Sequence, residues 1–181
     1  MSEATGPSAE RSSIRVTLPP MPGKRSFEEQ IAALDALRQL PPEAAIEPLR
    51  KAFAHRNNFV VARAADLIRG FNLTQLTPEL LIAFDRFFED AVKTDPQCWA
   101  KNAISRALAA FEHQDAAVFL RGMKHIQLEP AWGGSSDSAG TLRATCALAL
   151  VQCRSLVEAD LLALGGNPRL ARAFAKSKPG Q

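Results

Sequence analysis

The sequence predicts an all-α fold, and three observations support that prediction. Apolar residues recur at helical spacing along most of the chain, and no stretch reads convincingly as a strand. Capping residues and prolines stand where helices would begin or end. A polar residue followed six positions later by a cation occurs three times, at nearly regular intervals. Because recurrence at about 40 residues is typical of stacked helix pairs, we expect a right-handed α-solenoid. The three pairs are Asn57 with Arg63, Asp95 with Lys101, and Asp137 with Arg143.

The predicted helices follow one another with short connections. Ser26 and Glu29 form a capping box that opens an N-terminal helix, and apolar spacing extends this helix to Leu40. Three helix pairs come next, and a loop at 127–137 separates the two helices of the third pair. The pairs span 42–55 with 58–71, 78–93 with 96–112, and 115–126 with 138–153.

The two ends of the chain differ from this helical body, which we place at 26–166. Residues 1–25 are rich in Ser, Pro and Gly and lack helical periodicity, so we interpret them as a disordered N-terminal arm. Residues 167–181 are either a basic tail or a truncated capping helix. A terminal repeat needs a polar outer face. The apolar helix predicted from Leu156 lacks a complete partner, and the exposed flank that results would favour self-association.

The charge distribution argues against a nucleic-acid partner, and the apolar content argues against a membrane span. The net charge is +3 and the pI about 9.0, but the excess of basic residues lies in the two ends. Acidic residues outnumber basic ones between them, which argues against nucleic-acid binding through a broad basic face. No apolar run approaches the ~20 residues that span a bilayer, and the N-terminus lacks the apolar core of a signal peptide. Three widely spaced cysteines favour a reducing compartment, so we predict a cytoplasmic protein.

The reactive residue types do not form a catalytic or metal-binding pattern. The repeat alignment places Cys146 and Cys153 at core positions, and no cysteine spacing matches a zinc site. Cys98, in the first turn of its helix, is the one thiol that could be reactive, and we favour a structural role for it. The three histidines fall near helix C-termini, where an imidazolium suits the helix dipole. We therefore predict no catalytic residue, no cofactor and no metal.

Two tryptophans are the best candidates for contacts with a partner. Trp99 lies off the apolar stripe of its helix, and Asn102 and Arg106 lie near it on the same helix surface. Trp132 lies in the 127–137 loop next to Gly133 and Gly134, and a loop that lengthens a repeat often belongs to the binding face. Trp132 has two interpretations: it contacts a partner, or it folds back and seals a gap between repeats.

The paired helices and the spaced charges resemble the HEAT repeat family over residues 42–153. That family pairs helices of this length, often carries a proline in the first helix, as at Pro48, and has an Asp and an Arg six residues apart at the start of the second. Asp95/Lys101 and Asp137/Arg143 match this charge pattern, whereas Asn57 lacks the charge. The resemblance implies a ladder of hydrogen bonds between neighbouring repeats and a concave face lined by the second helices.

The resemblance implies an architecture more strongly than an activity, so three function hypotheses remain. The first is a non-enzymatic scaffold that binds another protein on the concave face. The second is a HEAT-like lyase or accessory protein that handles bilin chromophores, although no residue here singles out a bilin site. The third is DNA binding, as in helical-repeat alkylpurine glycosylases, and the acidic body of the chain argues against it.

Overall fold

The structure of the protein, a computed structural model, describes residues 26–153. Within this range the chain is mostly helical, as predicted, with one two-stranded antiparallel sheet. The predicted arm at 1–25, the helix expected after Leu156 and the tail at 167–181 lie outside the described residues. The elements are α1 Phe27–Ala36, α2 Pro42–Phe53, α3 Asn58–Phe71, α4 Thr77–Arg86, α5 Ala91–Thr94, α6 Trp99–Ala110, α7 Ala116–Lys124, β1 Leu128–Ala131, β2 Gly134–Asp137 and α8 Gly140–Gln152.

The two helices of each predicted pair are in contact. α2 packs against α3, α4 against α6, and α7 against α8. The second helices also pack side by side, because α3 contacts α6 extensively and α6 contacts α8. α1 packs on α3, and α2 contacts α4. The hydrophobic core is therefore shared between helix pairs and runs along the row formed by α3, α6 and α8.

The buried positions of this row show a different register from the one that the sequence predicted. The spaced charges aligned Arg63 with Lys101, and therefore Ala62 with Ala100. The burial pattern instead matches Ala100 to Val60, two positions earlier in α3, because a 3-10 turn at Pro96–Cys98 precedes α6. The predicted register between α6 and α8 agrees with the burial pattern. The equivalent buried positions include Val60, Ala100 and Leu142; Ala64, Ile104 and Cys146; and Ile68, Leu108 and Leu150.

The helix predicted at 78–93 is shorter than expected. α4 ends at Arg86, and the short helix α5 follows a turn in which Asp90 adopts a left-handed conformation with φ of 47°. A non-glycine residue in that region is uncommon and interrupts a right-handed helix. Apolar spacing continues through Phe87, Phe88 and Val92, so the periodicity gave no sign of the interruption.

The segment predicted as a loop at 127–137 contains a β-hairpin. β1 and β2 pair antiparallel from Leu128 opposite Asp137 to Ala131 opposite Gly134. Gly133, at the tip, has φ of 86°, a conformation that glycine adopts without a steric penalty. The prediction of no strand was wrong because the two strands lack the β-branched and aromatic residues that usually mark strands; their sequences are Leu-Glu-Pro-Ala and Gly-Ser-Ser-Asp.

Local capping agrees with the sequence at two helix starts. The Ser26 Oγ accepts a hydrogen bond from the Glu29 N–H, and the Glu29 carboxylate accepts one from the Ser26 N–H, which completes the capping box of α1. The Asn57 side chain accepts from the Phe59 N–H at 2.8 Å and caps α3. No helix between residues 26 and 153 combines the length and apolarity needed to cross a bilayer.

Candidate functional site

The Asp95–Lys101 pair is completely buried and joins the two helices of the second pair. The Lys101 Nζ lies 3.0 Å from the Asp95 Oδ2 and donates a hydrogen bond to the Phe87 carbonyl, just past the end of α4. The Asp95 carboxylate accepts from the backbone N–H groups of Ala100 and Lys101. Asp95 therefore reaches across the 3-10 turn to cap α6, while Lys101 satisfies a carbonyl at the C-terminus of the antiparallel neighbour.

The Asp137–Arg143 pair repeats this arrangement in the third helix pair. The Arg143 Nη2 lies 2.6 Å from the Asp137 Oδ2, and the Arg143 guanidinium also donates to the His125 carbonyl at the end of α7. The Asp137 carboxylate accepts from the backbone N–H groups of Ala139 and Gln127. The hydrogen bond from Arg143, together with these two backbone donors, holds the pKa of Asp137 far below its ordinary value of 3.8.

Acid should weaken the protein partly through Asp137. Because its pKa is depressed in the folded state, Asp137 stabilises the fold above the unfolded pKa, and this contribution is lost as pH falls through the folded pKa. We expect Asp137→Asn to unfold more easily than the parent at pH 7 and to lose less stability between about pH 4 and 2. Glu129, whose pKa is also lowered, should leave a residual slope. Urea unfolding across this pH range checks the expectation, and equal slopes for the two proteins would contradict it.

The remaining predicted charge pair, Asn57 with Arg63 in the first helix pair, does not form. The Arg63 guanidinium instead donates two hydrogen bonds to Asp35 on α1, at 2.8 and 2.5 Å. The carbonyls at the end of α2 are satisfied by Arg86 from α4, which donates to Phe53 and His55. Arg63 therefore joins α3 to the N-terminal helix α1 and does not join α3 to α2, its partner in the helix pair. Asn57 departs from the pattern because, without a carboxylate, it offers Arg63 no ionic partner.

Two residues outside the predicted ladder connect neighbouring helix pairs through Asp95. The Asn58 side-chain amide donates to the Asp95 Oδ1 at 2.9 Å and to the Pro96 carbonyl at 3.1 Å. The Gln127 side-chain amide donates to the Asp95 carbonyl at 2.8 Å, while its backbone N–H donates to Asp137. Asp95 therefore stands at the centre of a polar row, formed by Asn58, Asp95, Gln127 and Asp137, that crosses all three pairs. Asp95 and Gln127 are buried, and the sequence does not show that burial.

A second polar cluster anchors the hairpin to the start of α6. The Glu129 Oε1 accepts hydrogen bonds from the Gln97 N–H, the Gln127 side-chain amide and the Ser138 hydroxyl, at 2.6 to 2.7 Å. Partial burial opposes ionisation of Glu129, but these hydrogen bonds outweigh it and lower the pKa of Glu129. Gln97 itself has a left-handed backbone with φ of 58°, so the contact with Glu129 holds an uncommon conformation in place.

The cysteine thiols lie inside the protein and are held in the protonated form. Cys98 is fully buried and donates a weak hydrogen bond to the Gln127 Oε1 at 3.3 Å. Burial raises the pKa of the Cys98 and Cys153 thiols, and it raises the pKa of Cys146 to about 12. A thiol needs a lowered pKa and access to act as a nucleophile. Among residues 26–153 no group of three or more His, Cys, Asp and Glu residues is arranged to hold a metal.

The exposed feature that stands out is a row of three aromatic rings at the N-terminal ends of α1, α3 and α6. The Phe27 and Phe59 ring centroids lie 5.7 Å apart, and those of Phe59 and Trp99 lie 5.0 Å apart. Phe27 is 45% exposed and Trp99 is 46% exposed, whereas Phe59 between them is half-buried. We call these three residues the aromatic row. The sequence pointed to Trp99 alone, because adjacency between rings on three separate helices depends on how those helices pack.

Asn102 and Arg106 lie on the surface of α6 that borders α3. The Arg106 guanidinium lies 3.5 Å from the Asp66 carboxylate of α3, across the boundary between the two helices. The Asn102 Oδ1 is buried and has no hydrogen-bond partner among the described residues. The patch predicted around Trp99 therefore lies along the α3–α6 boundary and continues the aromatic row. The charge of Arg106 is only partly neutralised within the protein, because the Asp66 carboxylate is shared with Arg69.

Trp132 lies apart from the core, at the tip of the hairpin. Its side chain is fully exposed, with a relative accessibility of 106%, so it does not seal a gap between helices. Ile126 and Leu128, at the base of the hairpin, are 67% and 59% exposed. The hairpin thus carries apolar side chains into solvent beyond the helical body. Leu148 and Val151 on α8 are also exposed, and α8 directly precedes the predicted self-association region, which lies outside the described residues.

A groove of about 1330 Å³ opens beside the aromatic row, between α1, α2 and the start of α3. Leu34, Leu37 and Val60 are among the apolar residues that line it, and Lys51 is among the charged ones. Phe27 belongs to both the groove and the aromatic row, so the two features form one continuous surface. The sequence did not predict this groove, because its walls come from three separate helices.

Comparison with known proteins identifies no relative of this chain. No protein-family model matches the chain, and neither a curated protein nor a solved structure is significantly similar to it. The class that the described residues define is a mostly helical protein with a polar row, buried at Asp95 and Gln127, and an aromatic row on its surface.

Proposed function

We propose that this protein is a non-enzymatic scaffold that binds another protein in the cytoplasm. We further propose that its helices form a right-handed α-solenoid of three HEAT-like pairs with an added N-terminal helix. The contacts within each helix pair and the side-by-side packing of α3, α6 and α8 support this architecture. The matching buried positions in α3, α6 and α8 support it as well. Solenoids of this kind mostly present binding surfaces.

The observation that carries the proposal is the aromatic row. Scattered exposed apolar side chains are normal, but adjacent exposed aromatics from separate helices mark interaction sites. Large aromatic side chains and arginines supply most of the binding energy in protein interfaces. Here Phe27 and Trp99 offer exposed ring area at one end of the α3–α6 boundary, and Arg106 lies further along it. A surface of this composition suits a peptide or protein partner better than a small molecule.

Trp132 would provide a second contact. It projects on a hairpin whose base is fastened to the start of α6 through Glu129 and Gln97, so its position relative to Trp99 is constrained at the base. A fully exposed Trp on a hydrogen-bonded hairpin loses little conformational entropy on binding. We therefore place the partner across the start of α6, between the aromatic row and the hairpin.

Replacing Trp99 should weaken binding of the partner. We expect Trp99→Ala to lower affinity by roughly 10-fold or more, since truncation of an aromatic anchor commonly costs ~1.4 kcal/mol or more. The partner would be isolated from extract of the native host with the parent protein and identified, and its affinity for each variant would then be measured by calorimetry. Ile82→Ala is the matched control, because Ile82 is 69% exposed on α4 and belongs to neither the aromatic row nor the groove. Equal loss of affinity in both variants would contradict the proposal.

A further inference from the structure

A short proline-rich stretch lies immediately before the aromatic row in the sequence. Leu18-Pro-Pro-Met-Pro22 ends four positions before Ser26, where the capping box of α1 begins. Proline restricts φ to about −65°, and closely spaced prolines favour the polyproline II conformation. In that conformation three residues complete a turn with a rise of about 3.1 Å each, so Pro19 and Pro22 would project on one side about 9 Å apart.

The aromatic row has the composition and the length to receive such a segment. Proline-rich peptides in the polyproline II conformation bind surfaces lined by adjacent aromatic rings, which pack against the flat faces of the pyrrolidine rings. Ring centroids in the aromatic row follow one another at 5.7 and 5.0 Å, so three rings extend over about the distance that separates Pro19 from Pro22. Because proline restricts φ, docking of a proline-rich segment orders few torsions.

The connection between the two features is short enough to hold them together. Residues 23 to 26 separate Pro22 from Phe27, and an extended chain between these two residues spans at most about 18 Å. Ser26 is held at the start of α1 by its hydrogen bonds with Glu29. A binding site linked by so short a tether meets its ligand at an effective concentration in the millimolar range. Even a weak contact would therefore be substantially occupied.

We propose that Phe27, Phe59 and Trp99 form a docking site for a polyproline II segment, and that the occupant in the free protein is the chain's own Pro19–Pro22. The segment covers the exposed faces of Phe27 and Trp99 and competes with any other ligand for them. Docking itself depends only on the aromatic row and the tether. The regulatory consequence, that a partner must displace this segment to bind, rests on the proposed scaffold function.

Quenching of Trp99 fluorescence tests the docking in the full chain. The protein has two tryptophans, so Trp132→Phe leaves Trp99 as the sole reporter. In that background we expect Pro19→Ser, Pro20→Ser and Pro22→Ser together to raise the acrylamide quenching constant at least two-fold, because the ring becomes uncovered. Pro7→Ser, elsewhere in the N-terminal region, is the control and should change nothing. Unchanged quenching in the triple variant would overturn the proposal, provided that its thermal midpoint matches that of the parent.

A peptide added in trans shows that the segment itself is the ligand. A synthetic peptide of residues 14–24 should restore the protection of Trp99 in the triple variant, and the same peptide with serine at 19, 20 and 22 should not. Protection in the parent should be independent of protein concentration. Protection that grows with concentration would overturn the intramolecular assignment and place the segment on a second copy. Phe59→Leu, which removes the middle ring, should weaken the peptide at least five-fold; unchanged affinity would also overturn the proposal.

The outcome separates this inference from the scaffold function. If quenching does not respond to the proline substitutions but Trp99→Ala still weakens the partner, the docking inference fails and the scaffold proposal stands. If Trp99 is protected but Trp99→Ala leaves partner affinity unchanged, the scaffold proposal fails and the docking inference stands. If both the docking inference and the scaffold proposal hold, the triple proline variant should bind the partner more tightly than the parent, because its segment no longer competes for the aromatic row.

Discussion

Asp95→Ala should be among the most destabilising substitutions in the described part of the chain, lowering the free energy of unfolding by about 3 to 5 kcal/mol. Asp95 and Lys101 are both completely buried, so removing the carboxylate leaves an ammonium group away from water without its ionic partner. The backbone N–H groups of Ala100 and Lys101 lose their acceptor as well, as does Asn58. Domains are commonly stable by only about 5 to 15 kcal/mol, so this loss is large. Urea unfolding followed by far-ultraviolet circular dichroism measures it.

Companion variants separate the charge from the hydrogen bonds. Asp95→Asn keeps an acceptor oxygen and should cost less than Asp95→Ala. Adding Lys101→Met to Asp95→Asn removes the stranded ammonium and should recover a good part of the loss, since buried ion pairs can be replaced by apolar groups at little cost. Lys93→Ala is the surface control: Lys93 pairs with Asp90, and both are well exposed, so its loss should stay within about 1 kcal/mol. A loss for Asp95→Ala no larger than that of Lys93→Ala would refute the role of the buried pair.

Gly122→Ala should also destabilise the protein, by about 1 to 3 kcal/mol, although alanine normally favours a helix. Gly122 lies in α7, and a Cβ there would fall within 3.0 Å of the Cys146 Sγ on α8 and 3.4 Å from the Phe84 ring on α4. Cys146 and Phe84 are buried and have little room to move. The close approach of three helices therefore requires a residue without a side chain. Chemical denaturation of the parent and the variant checks the sign and size of the change.

Two controls show whether the close approach is responsible. Gly70→Ala in α3 meets no atom within 4 Å and should stabilise the protein by up to about 1 kcal/mol, because it gains only helix propensity. Cys146→Ala combined with Gly122→Ala makes room for the new methyl group, so the double variant should lose less than the sum of the single losses. Simple additivity, or a stabilising effect of Gly122→Ala alone, would show that the packing at α7 and α8 is looser than the structure indicates.

Local chemistry explains why much of the helical content was predictable. Apolar residues at helical spacing and side-chain caps act within one or two turns, so they are visible in a short stretch of sequence. The capping box at Ser26 is present as predicted, and Asn57, one of two asparagines at the start of α3, is the cap of that helix. The internal positions of Cys146 and Cys153 could also be predicted, because the register assumed between α6 and α8 is correct.

Two of the errors share one cause, which is that the decisive partner is distant in the sequence. Arg63 was matched to the nearby Asn57, but its partner is Asp35 on α1. The hairpin at 128–137 has weak strand propensity and is held to the start of α6 by hydrogen bonds of Glu129 and Gln127. The register between α3 and α6 depends on the 3-10 turn, which no local pattern reveals.

The sequence by itself determined the positions of most helices and the residue types at the polar row, because helix positions follow from periodicity and capping within a few turns. The tertiary structure alone decided which residues meet. It buried Asp95 and Lys101 completely, connected neighbouring helix pairs through Asn58 and Gln127, and brought the rings of Phe27, Phe59 and Trp99 into one row. The physical reason is that burial and contact across helices depend on how whole elements pack, and packing joins residues that are far apart in the sequence.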